Sequence, residues 1–79
     1  MAHHTLHPGK SLELHAGDKD EVENHSDKEG DFEIAFNTHP LIVKHSLKPK
    51  HHVAFVVAVG GEKIINDGHV PLTVVTPGP

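Results

Sequence analysis

The stretch Asp31-Phe32-Glu33-Ile34-Ala35-Phe36-Asn37 places an apolar side chain at every second position. That is the period of a half-buried β-strand, whose successive side chains point to opposite faces, and not that of a helix. Phe32, Ile34 and Phe36 would line a core while Glu33 and Asn37 meet water. The alternation recurs to either side. Leu12 and Leu14 alternate with Ser11, Glu13 and His15, and Val70, Leu72 and Val74 form a last alternating run. Leu41-Ile42-Val43 and Val53 to Val59 are apolar on both faces, the pattern of central strands covered on both sides. No window combines the helical period with good helix formers.

Turn-forming residues separate these runs. They include Ala16-Gly17-Asp18-Lys19, Lys28-Glu29-Gly30-Asp31, Pro40 and Pro49. Gly60-Gly61 and Asn66-Asp67-Gly68 have the chemistry of tight hairpin turns, because glycine accepts positive φ. The runs predict seven strands, near 10–15, 20–25, 31–37, 41–47, 52–59, 62–66 and 69–76. The expected fold class is all-β: a small antiparallel β-sandwich of about seven strands, immunoglobulin-like, with a small β-barrel as the alternative. Residues 10–76 would form the single domain, residues 1–9 a flexible His-rich N-terminus and residues 77–79 a flexible tail. The expected core is Leu12, Leu14, Phe32, Ile34, Phe36, Val43, Val53, Phe55, Val57, Leu72 and Val74, with Phe55 at its centre.

Composition narrows the function classes. A chain of 79 residues leaves room for one small domain, whose own core is marginal, so association with a partner is expected. There is no cysteine, which removes disulfides, thiolate metal sites and cysteine nucleophiles. No apolar run approaches the ~18 residues of a membrane helix, and the N-terminus lacks the apolar centre of a signal peptide. A cytoplasmic location and no membrane partner are therefore expected. The net charge of −4 speaks against nucleic-acid binding. The charge is uneven, with nine acids against three lysines in residues 1–39 and four lysines against two acids in residues 40–79. Asp18, Asp20 and Glu21 read as a solvated acidic turn, and neither they nor the Asp27 to Glu33 acids follow the calcium-loop pattern. Without Trp or Tyr there is no exposed stacking platform.

Ten histidines are the unusual feature. Neutral imidazole suits copper, nickel and zinc. Met1-Ala2-His3-His4 could fold its amine, amides and an imidazole round a square-planar Cu or Ni ion, with His7 nearby. His15 and His25 would face each other across a hairpin, near enough to share an ion, and His51 and His52 would stand at the mouth of a strand. The candidate metal ligands are thus His3, His4, His7, His15, His25, His51 and His52. No nucleophile elbow or phosphate loop accompanies them. Two functions are expected: a non-enzymatic structural or protein-interaction β module that self-associates through a strand edge, or alternatively a histidine-based Cu, Ni or Zn-binding protein.

Overall fold

The computed structural model describes residues 1–37, 40–59 and 61–77. Eight strands carry the chain: β1 (Ala2–Leu6), β2 (Ser11–Leu14), β3 (Lys19–Glu23), β4 (Gly30–Phe36), β5 (Ile42–Leu47), β6 (His52–Val56), β7 (Glu62–Asn66) and β8 (Leu72–Thr76). They form two antiparallel four-stranded sheets, ordered β1-β8-β3-β6 and β2-β7-β4-β5. Among the described residues there is no helix.

The pairing follows one rule. β1 lies against β8, β2 against β7, β3 against β6 and β4 against β5. The chain is a long hairpin with its tip between β4 and β5, bent at each connection so that successive strand pairs fall in alternate sheets. Contacts β3–β8 and β4–β7 then join the pairs within each sheet. This winding is that of an eight-stranded jelly roll. It replaces the expected immunoglobulin-like order, in which neighbours along the chain pair within one sheet more often. Only β4 and β5 are consecutive partners here. The Gly61 turn, with φ of 82° and its amide on the Ala58 carbonyl at 2.9 Å, therefore carries the chain from one sheet to the other rather than closing a hairpin. The turn at Asn66-Asp67-Gly68 likewise leads from β7 across to β8. Gly60, His39 and residues 78 and 79 of the expected tail lie outside the described residues.

The eighth strand is the N-terminal one. Ala2, His4 and Leu6 face inward and His3 and Thr5 outward, so the residue at the centre of the inward row is a histidine. That polar residue conceals the alternation, and residues 2–6, expected as part of a flexible terminus, pair with β8 along their length.

One cluster packs between the sheets, consistent with a small β-sandwich. Leu6, Val22, Leu72 and Val74 come from the first sheet, Leu14, Phe32, Ile34 and Ile64 from the second. Its fully buried centre is Val22, Val57, Ile64, Leu72 and Val74. Phe55, expected there, packs at the margin and is only half-buried, and Val53 is 41 % exposed. The cause is the strand order. β5 and β6 are the edges of their sheets on the same side of the molecule, so the doubly apolar runs that promised central strands are covered on one face only. Ile42, Val53 and Val56 consequently remain open to solvent.

Two buried asparagines close one end. Asn24 Nδ2 donates to the carbonyls of Lys28 and Leu47, and its Oδ1 accepts from the amide and hydroxyl of Ser26. Asn66 Nδ2 donates to the carbonyls of Leu6 and Val70, and its Oδ1 accepts from the Gly68 amide. Each side chain satisfies one carbonyl in a turn, Lys28 or Val70, and one on the last residue of a strand, Leu47 or Leu6, which is how a buried amide repays its desolvation. Gly30 is needed at this end, since a Cβ there would stand 2.9 Å from Leu72 Cδ2.

Candidate functional site

The histidines are spread over the surface. His3, His7, His15, His25, His51 and His52 are exposed, and His4 is half-buried with Nε2 3.3 Å from the Thr76 hydroxyl. His15 and His25 are not cross-strand neighbours: the strands they follow, β2 and β3, lie in different sheets. His25 Nε2 stands 2.9 Å from Glu23 Oε1, and His52 is directly opposite Glu23 on β6. Hydrogen bonding from His25, then from Glu21, holds the Glu23 carboxyl below its usual range. Among the described residues no three histidine or acidic side chains come together in a way that could hold a metal ion. His3 and His4 lie in the β1–β8 ladder, whose extended backbone differs from the wrapped one a square-planar terminal chelate requires.

The side chains that call for a chemical account are two acids. Asp20 on β3 and Glu62 on β7 are 1 % and 4 % exposed, inside the end of the sandwich opposite Asn24 and Asn66. Glu62 Oε1 accepts the Ala58 amide at 3.0 Å. Among the described residues neither carboxylate oxygen of Asp20 has a hydrogen-bond partner. Burial raises the Asp20 pKa above its ordinary 3.8; the charges of Asp18 and Glu62 raise it further, against the opposing pull of His15 and His4. The sequence carried the signal. Asp20-x-Val22-x-Asn24 and Glu62-x-Ile64-x-Asn66 put an acid and an amide on the inward parity of each strand. The expectation of a solvated acidic turn is thus corrected for Asp20, which is the first inward residue of β3.

On the open side, β5 and β6 leave a cleft of about 240 Å³ between the sheets. All three phenylalanines of the chain line it, with Val43, Val53, His45 and Glu62. His45 stacks on Phe32, ring centroids 5.1 Å apart. Glu62 lies opposite Phe36 across the β4–β7 ladder, and Asp20 opposite Phe55 across β3–β6, so each buried acid adjoins a ring of the cleft. Comparison with protein-family models, with curated proteins and with solved structures finds no match to this chain.

Proposed function

We propose that this chain is a non-enzymatic β module that associates with a second copy of itself by pairing along β6. The observation that carries the reading is the character of that edge. Natural edge strands are blunted by charges, proline or bulges. β6, His-Val-Ala-Phe-Val, has no Lys, Arg, Asp, Glu or Pro, pairs only with β3, and leaves Val53 41 % and Val56 66 % exposed. Of the other edges, β5 carries Lys44, and β2 is four residues long and carries Glu13, while β1, also uncharged, exposes the polar His3 and Thr5 in place of valines.

The sequence of β6 is also self-complementary. Antiparallel pairing about Ala54 sets Val53 opposite Phe55 of the second copy and His52 opposite its Val56. The inward apolar row of one sheet then continues into the next, with no acid or lysine facing its like. A two-fold axis closes the assembly at two copies. The core of so short a chain gains from the added burial.

Sedimentation equilibrium over a range of concentrations tests the reading. The expected result is a dimer that becomes monomeric in Ala54→Lys, which sets two ammonium groups facing across the axis. A wild-type monomer at every concentration, or a dimer indifferent to both Ala54→Lys and Val56→Lys, overturns it.

A further inference from the structure

We propose that the cleft between β5 and β6 is a binding site for a small apolar amine, its ammonium group held by Glu62 and its hydrocarbon part among Phe32, Phe36 and Phe55. This goes beyond association along β6, because it assigns a ligand to the space between the sheets, although Val53, Phe55 and Val56 of the pairing strand also line that cleft.

Three observations converge on it. The cleft, of about 240 Å³, gathers every aromatic carbocycle in the chain. Such a volume is below the ~300–1,000 Å³ of pockets for drug-sized ligands, so it suits a single ring with a short arm. Its lining includes one charged side chain, Glu62, itself only 4 % exposed. Asp20, buried and with no hydrogen-bond partner on either oxygen among the described residues, lies across the β3–β6 ladder from Phe55 of that lining.

Charge complementarity selects the ligand. Two buried carboxylates, Asp20 and Glu62, stand inside one end of the fold, and among the described residues no lysine lines the cleft. Ionising a carboxylate so buried is costly unless a cation or further donors compensate it, and Glu62 has the Ala58 amide on Oε1. An ammonium ion supplies both charge and N–H donors, and phenylalanine faces attract it further through their negative π-surface. An anion would meet Glu62 with like charge. A neutral alcohol would gain the hydrocarbon contacts and forgo the ion pair.

Phenethylamine, phenethyl alcohol and phenylpropionate share a ring and arm and differ in the head group. Each is titrated into the full chain at neutral pH and followed by backbone amide NMR, and then into Ala54→Lys so that binding is read apart from oligomeric state. The expected result is saturable shifts at Val43, Phe55 and Glu62 with phenethylamine, at least about ten-fold weaker binding of the alcohol, and no binding of the acid. Glu62→Gln should bring amine and alcohol to equal affinity. Equal binding of amine and alcohol by the wild-type chain, shifts centred elsewhere, or no saturable shift overturns the assignment without recourse to any variant at Glu62. Loss of the dimer with amine binding intact would fail the edge-pairing reading alone.

Discussion

Asp20 and Asn24 stand four residues apart on the same inward face, one at the start of β3 and one just past its end, both 1 % exposed, and only the asparagine has its polar atoms paired. β7 repeats the spacing with Glu62 and Asn66, and there the acid does have a partner, the Ala58 amide. One end of the sandwich is thereby closed by satisfied amides, and the other holds two buried acids.

Asp20→Asn should stabilise the protein at neutral pH. The folded chain holds a proton on Asp20 to higher pH than the unfolded chain does. The stability this contributes is complete below the ordinary value of 3.8 and is lost as pH rises through the raised one. Urea denaturation across the acid-to-neutral range should show the wild type losing ground to the variant as pH climbs, by about 1–3 kcal/mol once the acid is ionised. Glu33, raised by its hydrogen bond with Asp67, is present in both proteins and cancels in the difference. A variant less stable than wild type at neutral pH would contradict the burial of an unpartnered acid.

Asn66→Ala should cost more than an ordinary surface change. It strands the carbonyls of Leu6 and Val70 and the Gly68 amide, in a region where Asn66 itself is fully buried. The expected loss is about 2–4 kcal/mol, with faster amide exchange at the start of β8 and the end of β1. Exchange unchanged at both places would mean these turns are held by other contacts.

Core substitutions separate the observed centre from the expected one. Ile64→Ala empties a site closed on every side and should cost about 2–5 kcal/mol. Phe55→Ala removes a larger side chain, yet Phe55 lines an open cleft that water can enter, so its cost should be the smaller of the two. Melting temperatures rank them directly, and the reverse order would place Phe55 back at the centre.

The class of fold was legible because burial writes itself as a period of two, which survives in β2, β3, β4 and β7. The strand partners were not. Alternation at Glu62 to Asn66 states which face of β7 is buried and says nothing of whether β2 or β8 lies beside it. Gly61 supports a tight turn equally well within a sheet or between sheets. β1 was hidden by one inward histidine, His4. The doubly apolar β6 was legible as a strand needing cover on both faces, and the chain itself covers only one. As for the site, the histidines draw attention by number, while Asp20 and Glu62 are informative by parity. An acid spaced two residues from a buried valine or isoleucine is the quieter signal and the one that marks the interior.

The N-terminal histidines give a last test, in which fold and metal compete. A copper ion chelated by the terminal amine, two amides and an imidazole wraps the first residues around itself. In the folded chain Ala2 lies opposite Thr76 and His3 opposite Val75, within an extended ladder. Binding must therefore first unpair the start of β1, and the free energy of that opening is subtracted from the affinity. A free peptide of residues 1–7 should bind Cu(II) more tightly than the whole protein does, by isothermal titration in the same buffer. In the whole protein, one equivalent of copper should speed amide exchange at Val75 and Thr76 while leaving β4 and β7 unchanged. Equal affinities for peptide and protein would show that the first turn of the ladder contributes no stability of its own.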